Sequence, residues 1–360
     1  MKWFAIVVVG MALFAGCSSS AEPGERSGEK GAASEEPLVV LQIPVEGAVD
    51  DPAVGFDAAW AHGVLPGQPA PETQMAGVPD PRTYAVYRFD EKSGAVTDTI
   101  PVGPGGTSLV VGHGAVWMGS TAGRVSRIDP ATKQVTGEIP VDGEVWSLSA
   151  GEGAIWASGV TDPMRQRDGV VFRIDPKAGT AETVSAGEDH GVVDAVVAGE
   201  GWVWAVVNLA PLGGEEVARV VRIDPSTRQI AGETKVPGTV IGSPVPAKGG
   251  AWMLKRGPDG TVSMIRIEGD GTVVEAPAGS ITPDRGLGGS ILGGMWGITR
   301  SPEPGGLIAV RYDPSSGKAL EQRKLEGDLS GELLEIEVGA RDLWVGTYQS
   351  GGGLARVGPL

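Results

Sequence analysis

The stretch GPGGTSLVVGHGAVWMGSTAGRVSRIDPATKQVTGEIPVD, residues 103–142, decides how the chain folds. An apolar run from Ser108 to Val111 meets a Gly-rich turn, and a second run, Ala115 to Met118, contains Trp117. Gly123 to Asp129 alternates with a period of two and ends in Asp129-Pro130, and Gln134 to Val141 alternates again before Asp142 and Gly143. These are four short strands, a to d. A four-stranded antiparallel sheet of this size cannot bury both of its faces alone, so copies of it are expected on either side.

The copies are found by aligning on the strand-b tryptophan. Trp60, Trp117, Trp156, Trp204, Trp252, Trp296 and Trp344 are separated by 57, 39, 48, 48, 44 and 48 residues. The end of strand c recurs in step as RFDE at 88–91, as RIDP at 127–130, 173–176 and 222–225, as a degraded RIEG at 266–269, and as RYDP at 311–314. The last unit stops at the end of its strand c. Leu38 to Val45, LVVLQIPV, matches the strand-d sequence QVTGEIPV at 134–141 and supplies the missing strand. The spacing therefore predicts an all-β fold, a seven-bladed β-propeller with four antiparallel strands per blade, its ring closed by 38–45. With 58 Gly and 27 Pro punctuating short strands, and no helical period after the leader, residues 38–360 read as one domain.

Met1 to Cys17 carries Lys2, an apolar run from Trp3 to Phe14, and Ala15-Gly16 before the single cysteine. The run is too short for a membrane span and fits an export signal over residues 1–16. Residues 18–37 contain no large apolar side chain, so Cys17 and this segment form a flexible tether, with a reach on the order of 25 Å. A net charge of −16 and a pI near 4.7 exclude nucleic acid and electrostatic docking on anionic lipid as partners.

Within the repeat, the tryptophans read as packing between blades and the Asp-Pro pairs as type I turns. Departures from the repeat are the places to look for function. Ten residues before the tryptophan stand Asp50, Thr107, Trp146 and Asp194, and nine before it Asp51, Ser108 and Glu335, where strand a meets the central channel and no ladder reason for a polar group is apparent. The insertion 64–83 and the loops at 161–169 and 209–217 fall on the same face. The candidate ligand-binding residues are Asp50, Asp51, Trp146, Asp194, Glu335 and His190. So many carboxylates at one mouth favour a cation, a basic peptide or an amine. His190, beside Asp189 and Asp194, is the candidate acid-base residue, while His113 is assigned to the opposite face and His62 to the end of a strand b.

Two resemblances follow from these residues. LFAGC at 13–17 resembles the lipobox of bacterial lipoproteins, with Phe14 where that family has Leu, and implies a diacylglyceryl-type anchor on Cys17 and a place on the outer face of the cytoplasmic membrane. The repeat GxGAVWxxxxxGxVxRIDPxTxxVxxxIPV resembles the blades of YVTN and streptogramin-lyase-like propellers over residues 38–360. Streptogramin lyases use Mg2+ and a His/Glu constellation, and their blades carry Trp-Phe-Thr-Glu. Here the corresponding residues include Trp117-Met118-Gly119-Ser120 and Trp344-Val345-Gly346-Thr347, so the catalytic residues are not carried over. Two functions stay open. One is a monomeric, membrane-anchored scaffold for a protein or small ligand. The other is a lyase or hydrolase using Ca2+ or Mg2+ on Asp50, Asp51, Asp194 and Glu335.

Overall fold

The structure, a computed structural model, describes residues 36–45, 49–68, 80–162, 167–185, 191–209, 216–277, 280–284, 286–290, 294–301, 306–329, 334–347 and 353–360. Cys17, the leader, most of the tether and His190 lie outside the described residues. Ala33–Leu360 gathers into one compact unit. Every regular element among the described residues is a β-strand. In the stretch at 103–142 the strands are Gly106–Gly112, Ala115–Ser120, Arg124–Asp129 and Gln134–Pro140, each end within two residues of the boundary that alternation predicts.

Five sheets hold four strands each, paired in chain order, and a sixth holds eight. The eight-stranded sheet consists of two antiparallel groups. In the second group Leu38–Ile43 lies antiparallel to Gly353–Gly358, from Val39 opposite Gly358 to Ile43 opposite Leu354, and so occupies the fourth-strand place. The same strand also runs parallel to Ala319–Glu326 through Leu38–Leu325 and Val39–Glu326, which joins the two groups into one sheet. The repeat alone gives no sign of this parallel link, because it depends on where the outer edges of neighbouring groups meet.

The first strands of the groups form the inner wall. Val49–Val54 touches Gly106–Gly112, and contacts continue through Glu144–Gly151, Val192–Gly199, Thr239–Ala247 and Gly286–Ser290 to Leu334–Val338, which returns to Val49–Val54. The ring is closed. Close approach at one joint requires glycine: a Cβ on Gly288 would collide with the Ile336 carbonyl of the adjacent inner strand.

Buried apolar side chains fill the gaps between neighbouring groups. Trp60 packs with Leu109, Val116 and Met118 of the next group, Trp156 with Val193 and Val196, and Trp344 with Val49 and Phe89 across the join of the last group to the first. A large flat ring at the centre of strand b is what a wedge between two twisted sheets accommodates. In three groups the arginine near the end of strand c belongs to the same device. Arg88, Arg127 and Arg266 lie directly across the ladder from Trp60, Trp117 and Trp252, with guanidinium carbons 5.7, 5.8 and 6.0 Å from the ring centroids. Three indole N–H groups donate to the carbonyl five residues back, as from Trp117 to Gly112 at 2.9 Å.

Turns confirm their sequence chemistry. Asp129 accepts from the N–H groups of Ala131 (2.8 Å) and Thr132 (2.9 Å), and Asp175 and Asp313 repeat the pattern. These backbone N–H groups hold all three carboxyls below the usual range. The a–b hairpins turn on His113-Gly114, Glu152-Gly153, Glu200-Gly201 and Lys248-Gly249, each with both residues at positive φ, as a type I′ turn demands. Side chains of these turns reach the next group: Glu152 accepts from Gly201 N–H at 2.9 Å and Glu200 from Gly249 N–H at 3.2 Å. His113 is exposed, its Nε2 3.0 Å from the Ala154 carbonyl.

Trp156 is fully buried between two groups. Trp156→Ala is expected to destabilise the fold by about 3–5 kcal/mol, read from the urea midpoint, because the cavity spans a joint that neighbouring sheets cannot collapse into. A loss below about 1 kcal/mol would show that the ring does not depend on this wedge.

Candidate functional site

A cavity of about 1020 Å³ lies between the inner strands, and all of them contribute to its wall. Most of that wall is apolar, built from Val, Ala, Leu, Pro and Gly. The charged side chains on it are Asp51, Asp194, Glu200, Glu335 and Glu337, against Lys248. Four sequence candidates, Asp51, Trp146, Asp194 and Glu335, are thus brought onto one cavity. Asp50 sits opposite His62 in the ladder, with its side chain outside the described residues, as is His190.

The polar column before each tryptophan has a local cause. Inner strands break register with their hairpin partners at this level: between Gly106 and Ser108, Val145 and Ser147, and Val193 and Ala195. The extra residues are Thr107, Trp146 and Asp194. A β-bulge leaves its added residue unpaired and re-aims its side chain, so the column is a row of bulges at the channel. In Val49–Val54 the shift lies between Asp50 and Ala53, with Asp51 at φ 53°, and in Thr239–Ala247 it lies between Ile241 and Val245.

The expectation that these polar groups lack a structural reason is corrected for Asp51. It is buried, and its carboxylate accepts the N–H of Leu109 on the next inner strand. Ser108 does the same one group further on, accepting Leu148 N–H at 3.1 Å, and Ser149 accepts Ala198 N–H at 2.9 Å. A side chain on one inner strand thus caps an amide on the next, clamping neighbours together. Thr107 adds a bond from its hydroxyl to the Val145 carbonyl at 2.8 Å. Asp51 also faces His62, 3.9 Å from Nε2, and His62 is buried beside Tyr84.

Asp194 is held differently. The Asn208 backbone N–H donates to it at 3.1 Å, while the Asn208 side chain bonds both the carbonyl and the N–H of Val240 at 3.0 Å. Asn208 therefore anchors Asp194 and bridges two groups. Burial pushes the Asp194 carboxyl up, and the bonds from Asn208 act in the opposite direction. The indole N–H of Trp146 donates to Glu144 at 3.0 Å, which fixes its ring at the cavity edge.

Sequence reasoning missed Glu337 and Asn208. Glu337 lies two residues beyond Glu335 on the same face of Leu334–Val338, and burial, together with the Glu335 charge, pushes its carboxyl up to about 8. An isolated Asn in the apolar run WVWAVVNL was a usable signal. Glu335 is among the sequence candidates, whereas Glu337, two residues on, reads as the ordinary solvent face of an alternating strand. No group of three His, Cys, Asp or Glu side chains among the described residues is placed to hold a metal ion.

At the base of the blade-one insertion, Gln68 pairs with Thr83 through Nε2 to the carbonyl (2.9 Å) and Oε1 from the N–H (2.8 Å). Next to it the buried Asp80 takes Arg82 and the Tyr84 hydroxyl.

No protein-family model matches this chain, and no curated protein is similar to it in sequence. Solved structures are similar in fold. The Cps50 (Swd1) β-propeller domain of Myceliophteria thermophila superposes with a TM-score of 0.59 at 12% identity, covering 89% of this chain and 99% of that one. The WD40 domain of Toxoplasma gondii coronin gives 0.58 at 10% identity, covering 91% and 88%. A chain of Kuenenia stuttgartiensis hydrazine synthase gives 0.57 at 12% identity, covering 82% and 99%. The fold is a β-propeller. At these identities the likeness extends to the fold alone.

Asp51 separates clamp from charge. Asp51→Ala strands the buried Leu109 amide and is expected to cost about 1–3 kcal/mol in urea unfolding. Asp51→Asn keeps a carbonyl acceptor and tolerates positive φ, so it should recover most of that loss. Equal losses in both variants would assign the residue to charge rather than to the clamp.

Proposed function

We propose that this protein is a lipid-anchored extracytoplasmic scaffold, a seven-bladed propeller whose central cavity binds a ligand or a projecting segment of a partner, with preference for positive charge. The eight-stranded sheet is two blades joined by the parallel contact of Leu38–Ile43 with Ala319–Glu326. The observation that carries the binding role is the cavity itself: about 1020 Å³, largely apolar, with a few fixed polar groups and an excess of carboxylates. That is the make-up of a small-molecule or side-chain pocket, and the buried negative charge selects against anions.

Anchoring rests on Cys17 and the lipobox-like LFAGC, which put the propeller on the outer face of the bacterial cytoplasmic membrane at the end of the 17–37 tether, as a monomer. Cys17→Ser is expected to release the protein into the medium or leave it unprocessed, judged by fractionation of cells. Membrane retention with normal processing would remove the anchor from the reading.

The cavity role is tested by thermal shift. Cationic compounds should raise the melting temperature more than neutral compounds of the same shape. The shift should disappear in Trp146→Ala with Asp194→Asn, and persist in Leu320→Ser on the outer surface. Equal shifts in both variants would place binding outside the channel.

A further inference from the structure

The join between the last inner strand and the first lacks the clamp seen at the two joints that follow it. At successive joints, the residue nine before one tryptophan accepts the N–H of the residue eight before the next: Asp51 from Leu109, Ser108 from Leu148. At the closing joint those positions are Glu335 and Pro52. Proline has no N–H, so this clamp cannot form. Two residues further along, Glu337 makes no hydrogen bond or ion pair with the described residues, and it stands half-buried on the wall of the lumen.

Resting on the reading of the channel as a binding site, we infer that this seam binds the ammonium group of an organic amine, held by Glu337 and Glu335, with the apolar part of the amine in the lumen. An ammonium offers three donors and one charge to two carboxyls on one strand face. A divalent ion would need further ligands, and among the described residues no third carboxylate or imidazole joins this pair. The volume accommodates a molecule with a substantial apolar body.

The charges around Glu337 set a proton linkage. Its own strand brings Glu335, and Val49–Val54 brings Asp50 and Asp51. Gly294–Arg300 brings Arg300, an exposed side chain 3.9 Å from Asp284. Gly286–Ser290, Thr239–Ala247 and Leu343–Thr347 bring no titratable group. Burial and Glu335 keep Glu337 protonated up to about pH 8. Near pH 7 the bound state is then reached by the neutral acid and the ammonium forming a carboxylate–ammonium pair and one proton passing to solvent. Without ligand, this proton makes the fold less stable as pH rises. The folded state holds a proton that the unfolded state releases above its ordinary value of 4.5, so stability falls as pH rises from there to about 8.

The test is titration calorimetry of the full chain at pH 7 with benzylamine and with benzyl alcohol, each in two buffers of different ionisation heat. Benzylamine should bind at least tenfold more tightly than the alcohol, with a buffer-dependent heat that reports the released proton. Glu337→Gln should weaken benzylamine at least tenfold, abolish the buffer dependence, leave the alcohol unchanged, and flatten the fall in stability between pH 5 and 8, which also shows that the variant folds. Equal binding of amine and alcohol would overturn the inference while leaving the channel as a pocket. Binding of neither would overturn both. Unchanged benzylamine binding in Glu337→Gln would likewise overturn it.

Discussion

A tryptophan ring wedged between two sheets is the contact on which the rest of this structure depends. Each four-stranded group has two faces to bury, and neither can be covered from within the group. Trp60, Trp156 and Trp344 each sit in a core shared by two groups, so the unit of packing is the joint between groups. In three groups an arginine across the ladder covers the ring and carries the chain to water, which couples strand c to the tryptophan through cation–π contact. With the wedges set, the inner strands are forced to converge, and the cavity is the space that their side chains cannot fill.

Convergence explains why the inner strands bulge. A ladder that stayed in register to the channel would present the same alternation there as in the blade. The added residue at Thr107, Trp146 or Asp194 breaks it and turns a side chain to a new direction. The same row then serves two ends. Asp51, Ser108 and Ser149 cap amides of the neighbouring strand and hold the ring together, whereas Trp146 and Asp194 are fixed by Glu144 and Asn208 at the cavity. Polarity at the channel is therefore partly structural, and counting carboxylates alone overstates the number available to a ligand.

How far this was legible in the sequence follows from the range of each signal. Tryptophan spacing, period-two alternation and Asp-Pro turns are local, and they returned the strands, the turns and the fourth-strand role of Leu38–Ile43. The alignment on tryptophan also found the channel column, since a bulge adds a residue at the same place in successive units. What it could not supply was the partner of each polar group. The bond from Leu109 to Asp51 spans 58 residues and two groups, and nothing near Asp51 announces it. Glu337 was hidden by the opposite problem: alternation with Ile336 and Val338 is what an exposed strand face looks like, and only the curvature of the ring turns that face inward.

The closing joint shows why a ring made from one chain need not be uniform. Its outer edge is secured by a strand from the other end of the sequence, antiparallel to Gly353–Gly358 and parallel to Ala319–Glu326, so backbone hydrogen bonds hold the ends together at the periphery. Its wedge is present, with Trp344 against Val49 and Phe89. Both of these act away from the channel. At the channel, Pro52 withholds the amide that would have engaged the preceding strand, and Leu334–Val338 pairs with Leu343–Thr347 without a register shift. The inner edge at the join is thus relieved of the clamp that operates at the next two joints, and Glu337 stands there beside Glu335 where burial makes its charge costly. A fold selected for stability alone gains nothing from that pair, because replacing Glu337 with an apolar residue would remove the desolvation cost while leaving the wedge and the outer strand intact.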